Sequence, residues 1–215
     1  MCNEYLVKIN EIKYGLCLKC RLSFSADKGN KCNLCGKPLV SEVDLCLACR
    51  TGNAQALDRL WVIFPYTGKY RRLLTEYKFS KKIALANFFT DRILDLLTSE
   101  PLLKDAVIVP VPPRPGKIKK TGWDQIEFLV KNTGKLKKIK INRCLKRRKS
   151  QVQKRLSRNQ RMDNLQGRIY TYKNVPKTAL IIDDVITTGS TLNVCASALK
   201  ENGAEKVYGL CLFYD

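Results

Sequence analysis

The chain has 215 residues, is 45% hydrophobic, carries a formal net charge of +21 and contains no histidine. That length and apolar content allow one substantial domain plus a small one. Without histidine, Ser-His-Asp and Cys-His catalysis and every His-ligated metal site are excluded, so acid–base work falls to carboxylates, Lys, Tyr or Cys.

The N-terminal stretch MCNEYLVKINEIK is charged and has no apolar h-region. No segment approaches the roughly 20 apolar residues of a membrane span. A cytoplasmic protein without a membrane span is therefore expected, and in that compartment ten cysteines point to metal rather than disulfides.

Three C-x-x-C pairs follow: Cys17/Cys20, Cys32/Cys35 and Cys46/Cys49. Two such pairs on knuckle turns present four thiolates tetrahedrally, as structural Zn²⁺ prefers. Asn33 and Cys35-Gly36 suit a tight knuckle. The preferred Zn²⁺ site is Cys32, Cys35, Cys46 and Cys49. Cys17 and Cys20 then belong to a degraded first ribbon, or to a weak site completed by Cys2. Pairing of 17/20 with 32/35 is the remaining option. Tyr5 stands where Cys2 would find its C-x-x-C mate. Residues 1–52 are expected to form this zinc ribbon. After a polar linker, Arg50–Asp58, residues 58–215 are expected to form the main domain.

Trp61–Phe64 reads as a short strand. Tyr70, Leu73, Leu74 and Tyr77 mark one face of a helix, and Lys69, Arg71, Arg72 and Lys78 beside them read as its solvated face. Residues 83–97 form a second amphipathic helix, with Leu85, Phe89, Ile93 and Leu96 inward. Val107-Ile108-Val109 is a buried-type strand that runs into Pro110-Val111-Pro112-Pro113-Arg114. Proline fixes φ and can favour unusual peptide geometry, so this turn is either a rigid ligand loop or a proline-capped connection. Lys117, Lys119 and Lys120 precede Gly122-Trp123-Asp124-Gln125, which opens a helix with Ile126, Leu129 and Val130 inward. Residues 114–161 hold 18 Lys/Arg against Asp124 and Glu127, so the basicity is regional. Overlapping its end, Gln153–Gly167 is basic and amide-rich with few core residues, as expected of a mobile or ligand-ordered loop.

The chemistry concentrates near the C-terminal end, in TALIIDDVITTGSTLNVCASALKEN, residues 178–202. An apolar strand, Ala179–Ile182, ends in Asp183 and Asp184. Thr187-Thr188-Gly189-Ser190-Thr191 follow, and Leu192, Cys195, Ala196 and Leu199 mark one face of a helix. Asn202-Gly203 is a stop signal, and residues 207–213 read as another strand. In such a βαβ unit, ligands bind at the carboxyl ends of the strands. Hydroxyls and N–H groups opening a helix suit a phosphate. Adjacent carboxylates suit sugar hydroxyls or a shared Mg²⁺. A ribose that carries a phosphate needs both features one loop apart. The alternative is an ordinary strand-to-helix turn with solvated acids and Ser190 as N-cap.

IIDDVITTGSTL resembles the phosphoribosyl-diphosphate (PRPP) motif of type I phosphoribosyltransferases. The resemblance implies that Asp183 and Asp184 contact ribose hydroxyls, that Thr187–Thr191 cradle the 5-phosphate, that Val185 belongs to the same PRPP site, and that Pro110–Arg114 faces the diphosphate. The Cys-rich ribbon, the VPVP strand end, a tetrad near G-F-N-Q and the residues Gln153, Leu156, Ser157, Arg158, Arg161, Asn164 and Leu165 resemble the ComF family along essentially the whole chain. That family implies an α/β, type I phosphoribosyltransferase fold, a mainly parallel sheet with flanking helices preceded by a small zinc ribbon. The tetrad here is Gly122-Trp123-Asp124-Gln125, with Thr121 where the family has Arg, which puts its function in doubt.

Two function classes follow. As an enzyme, the protein would transfer phosphoribose from PRPP with Mg²⁺, Asp183 and Asp184 fixing the sugar and Arg114 or a lysine among 117–120 neutralising departing diphosphate. No segment identifies the acceptor. As a binding protein, it would handle single-stranded DNA in competence-related uptake with a helicase-like partner. The basic region suits phosphates, and Trp123, Tyr170 and Tyr172 can stack on bases.

Overall fold

The computed structural model describes residues 2, 5–25, 29–51, 56–137, 139–148 and 168–215. Lys149 and the Gln153–Leu165 segment lie outside the described residues.

A four-stranded parallel sheet forms the centre, in the order β1-β6-β5-β2. Its strands are β1 (Arg59–Pro65), β2 (Val107–Pro110), β5 (Thr178–Ile186) and β6 (Lys206–Tyr214). Parallel strands covered on both faces read as continuous apolar runs, and Ala179–Ile182 are each fully buried. Their side chains alternate between two cores. Leu180 and Ile182 join one, while Ala179 and Ile181 join the other.

The first face is covered by α4 (Gly68–Lys78), α5 (Leu85–Ser99) and α7 (Gln125–Lys137). The helical stripes predict this: Leu73, Leu74, Tyr77, Phe89, Ile93, Leu129 and Val130 are buried. Leu96 is only half-buried and α5 begins at Leu85, because Ile83 remains outside its first turn. Phe64 of β1 stacks on Phe88 at 5.9 Å and on Tyr70 at 5.5 Å. The second face is covered by α8 (Ser190–Lys200) and a small antiparallel hairpin of β3 (Leu145–Arg147) and β4 (Ile169–Thr171). No cis peptide occurs among the described residues, so the Pro110–Pro113 turn is all trans.

Three short helices precede the sheet: α1 (Ile9–Tyr14), α2 (Leu18–Ser23) and α3 (Leu47–Thr51). Leu16 and Phe24 insert into the first core, Phe24 lying edge-on to Tyr70. The knuckle around Cys32 and Cys35 leans on the open edge of β1. Asn33 O accepts from Leu60 N at 2.7 Å, and Lys31 Nζ donates to Val62 O at 2.9 Å. Covering an edge in this way removes a template for strand addition. Among the described residues, no helix is long and apolar enough to cross a membrane.

Candidate functional site

After β2 the chain leaves to the first face, through α6 (Lys117–Thr121) and α7, whereas after β5 it leaves to the second face, through α8. Adjacent strands whose connections diverge open a crevice at their carboxyl ends, where α/β sheets bind ligands. A cleft of ≈ 490 Å³ lies there. Pro112, Pro113 and Arg114 form one wall, and Asp183, Asp184, Val185, Thr187 and Thr191 form the facing one. Thr188, Gly189 and Ser190 make the turn beside it. Gly189, at φ +73°, occupies the N-cap position expected of Ser190, and Thr188 Oγ1 lies 2.9 Å from Ser190 Oγ. A left-handed residue at this point turns the chain into α8 and suits glycine.

The two acids are not equivalent. Asp184 is saturated: its Oδ2 accepts from Lys78 Nζ at 2.5 Å and from Gln125 Nε2 at 2.7 Å, and its Oδ1 from Val185 N at 2.9 Å. Burial opposes its charge, but the Lys78 ammonium and the Gln125 amide outweigh burial and hold the carboxyl below the usual range. Asp183 accepts only from Asp184 N among described partners. Burial, then the neighbouring Asp184 charge, push it up to about 7. One carboxylate is thus anchored, and the other is the natural acceptor for an incoming hydroxyl or proton.

Lys78 corrects the expectation of a solvated face: it bonds Asp184 across 106 positions of sequence. It sits four residues after buried Leu74, so it continues the inward stripe of α4, and that spacing was the available signal. Gln125 and Asp124 also enter the cleft wall. Lys117 Nζ donates to Asp124 Oδ2 at 2.5 Å and also to Gln125 Oε1. Asp124 Oδ1 accepts from Glu127 N at 2.8 Å and so caps α7. The added charge of Asp124 in the altered tetrad is therefore paired, and two tetrad residues lie within the site. Trp123 packs edge-on to Tyr77 at 5.3 Å and to Phe128 at 6.3 Å, as part of the core margin. Tyr77 OH, fully buried, donates to Gln125 O at 2.7 Å.

Among the described residues, four cations line the cleft. Lys78 and Lys117 are paired with acids, while Arg114 is exposed on the proline loop and Arg147 reaches in from β3. Sequence reasoning assigned Arg114 and the lysines to the diphosphate and grouped Arg147 with Lys146, Arg148 and Lys149 as a single-stranded-DNA contact; a three-residue strand does not advertise that Arg147 turns into the cleft. Its neighbours Lys146 and Arg148 are exposed. Lys146 Nζ lies 3.9 Å from the Tyr172 ring centre, and Arg148 stands over Tyr170 at 4.9 Å.

The cysteines form two clusters. Sγ atoms of Cys32, Cys35, Cys46 and Cys49 all lie within 4.8 Å of one another, with Cys35 Sγ 3.7 Å from Cys46 Sγ. Four sulfurs about 2.3 Å from a tetrahedral Zn²⁺ stand roughly 3.8 Å apart, so the donor set fits. Burial would raise the Cys32 thiol, but backbone N–H groups at Cys46, Cys35 and Leu34 bring it down to about 7. Cys17 and Cys20 gather with Cys2 instead of with Cys32 and Cys35. Clusters of this kind can hold a metal ion such as zinc. A larger cavity, ≈ 580 Å³, lies between the ribbon and β1, but its Lys31, Arg59 and Arg92 are balanced by Glu42, Asp44 and Asp95, and β1 lines it from its amino end, Arg59–Ile63.

No protein-family model matches the chain. Competence protein ComFC of Streptococcus pneumoniae is 27% identical over 195 residues, which is 89% of this chain and 84% of that one. Competence protein F of Haemophilus influenzae is 26% identical over 209 residues, 91% of this chain and 88% of that one. A local match of 35 residues, 57% identical, occurs to the ribose-phosphate pyrophosphokinase of Corynebacterium ammoniagenes; it covers 16% of this chain and 11% of that one. Together with the parallel sheet and its flanking helices, these similarities place the fold in the type I phosphoribosyltransferase class.

Proposed function

We propose that this chain is a ComF-family protein and that it acts in competence-related DNA handling through a cleft that binds PRPP with Mg²⁺. The reading rests on one observation: Asp183 and the Thr187–Thr191 turn face Arg114 across a cleft at the carboxyl ends of adjacent parallel strands. Asp183 accepts a ribose hydroxyl while Asp184, fastened by Lys78 and Gln125, holds the strand end in place. The turn into α8 offers N–H groups and hydroxyls at the positive helix end to the 5-phosphate. Arg114 and Lys117, with Mg²⁺ carried by the ligand, balance the diphosphate. The named relatives supply the competence role, and the pyrophosphokinase match adds a protein whose name includes ribose phosphate.

Single-stranded DNA is proposed as the second ligand, held by exposed cations of residues 119–148 outside the cleft, Lys146 and Arg148 among them. Zn²⁺ in the Cys32/Cys35/Cys46/Cys49 set holds the ribbon against β1.

Calorimetry tests the cleft. PRPP should bind in the presence of Mg²⁺, and Gly189→Val should abolish binding, because a β-branched residue is strained at φ +73° and would distort the turn whose N–H groups meet the phosphate. Absence of binding by the unmodified protein at millimolar PRPP would sink the proposal. Release of pyrophosphate when DNA or free bases are supplied would make the protein a transferase, the second function class that the cleft's cations favour.

A further inference from the structure

The second cysteine cluster differs from the ribbon set in having three sulfurs. Cys17 Sγ accepts from Cys20 N at 3.4 Å, which is the N-cap bond of α2. Cys20 Sγ accepts from Cys2 N at 3.2 Å. Cys2 Sγ stands 3.3 Å from Cys17 Sγ and 3.4 Å from Cys20 Sγ.

The fourth vertex has no protein donor among the described residues. Tyr5, which stands at the missing cysteine's spacing, is 94% exposed. Among the described residues, no further Cys, Asp or Glu joins the three sulfurs. Cys17 and Cys20 are buried in the first core beside Leu16 and Phe24, so two of the three sulfurs are held by packing that does not depend on a metal. Cys2 is exposed, which leaves the cluster open toward solvent on that side.

We propose that Cys2, Cys17 and Cys20 form a second metal site, taking a thiophilic divalent ion of the zinc type and leaving one coordination position to an exchangeable ligand from solution. Structural zinc sites close with four protein ligands, whereas sites with three protein ligands keep a position for water or another donor. Binding replaces three thiol protons with one divalent ion, so the occupied site carries one negative charge. Its fourth position accepts water, an imidazole or a thiolate. This site is independent of ligand binding in the cleft.

Cobalt(II) reports thiolate number and geometry. The full chain, kept free of oxygen and added thiols, should bind about two Co²⁺, with thiolate-to-metal charge-transfer intensity at the two sites in a ratio of about 4:3. Added imidazole should shift the ligand-field bands of the three-thiolate site and leave those of the ribbon site unchanged. Cys2→Ser, at an exposed position that folding does not rely on, should lose the imidazole-sensitive bands and retain the others; Cys17→Ser should do the same if it folds. One equivalent of metal in the unmodified chain, four-thiolate spectra at both sites, or Cys2→Ser retaining both equivalents would each overturn the proposal. So would second-site bands that ignore imidazole, since the chain itself would then close the fourth position.

Discussion

At the scale of single residues, Asp183 and Asp184 share one sequence neighbourhood and carry opposite perturbations. Asp184 is depressed, so its contribution to stability is present above its unfolded value and is lost as pH falls through the folded one. Asp183 rises from 3.8 to about 7, so the native state holds a proton that the unfolded chain releases. Its effect has the opposite sign: stability falls as pH rises from about 4 to about 7. Asp183→Asn removes that penalty while its amide oxygen can still accept from Asp184 N. Ligand-free Asp183→Asn protein should therefore melt higher than the unmodified protein at pH 8, and the gap should narrow to less than half at pH 5. PRPP should stabilise the variant less than the unmodified protein. Scanning calorimetry at the two pH values checks this, and equal melting at both would place the Asp183 charge in water. Stability gained where binding is lost is the usual pattern at a site built for a ligand.

At the scale of elements, the ribbon knuckle and β1 support each other. Gly36 has φ +72°, and a Cβ there would lie 2.5 Å from Val62 Cγ2. The strain and the clash act at the same point, where the knuckle lies on the strand edge. Gly36→Ala should cost about 2 kcal/mol of stability in the metal-loaded protein. The same contact makes the effect of metal removal predictable. Chelation should release Asn33 and Lys31 from Leu60 and Val62 and open the β1 edge to association. Light scattering should rise on chelation and reverse with added Zn²⁺. Since no described ribbon residue lines the cleft, PRPP affinity measured before association should be unchanged. A Gly36→Ala protein as stable as the original would mean that the knuckle does not rest on β1 in solution.

For the whole molecule, the issue is whether one cationic surface serves two ligands. The net charge of +21 is concentrated, and the hairpin of β3 and β4 divides it. Lys146 and Arg148 are exposed over Tyr172 and Tyr170, while Arg147 between them lines the cleft, as alternation along a strand requires. Replacing Lys146 and Arg148 together by Ala should flatten the log–log salt dependence of single-stranded DNA binding by about 1.4, at about 0.7 per phosphate contact. PRPP binding should not change. Arg147→Ala should do the reverse, weakening PRPP and leaving the DNA slope nearly intact. Fluorescence anisotropy with a labelled oligonucleotide over a range of salt decides. If both variants move both ligands, the cleft and the hairpin are one site.

Features that depend on neighbours in sequence were legible without the structure. The apolar run Ala179–Ile182, the acids after it and the helix stripe of Leu192, Cys195, Ala196 and Leu199 describe strand, loop and helix, because pleat and helix pitch act over a few residues. The knuckle spacing of Cys32/Cys35 and Cys46/Cys49 is local in the same way. Partner choice was not legible. Whether Cys17 and Cys20 gather with Cys2 or with Cys32 depends on where Leu16 and Phe24 find the core. Lys78 and Gln125 reach Asp184 across 106 and 59 positions, and only packing on one face of the sheet brings them there. That packing also separates two adjacent, chemically identical acids: a carboxylate takes its ionisation from the donors and burial around it, and both are set by the assembled sheet and helices.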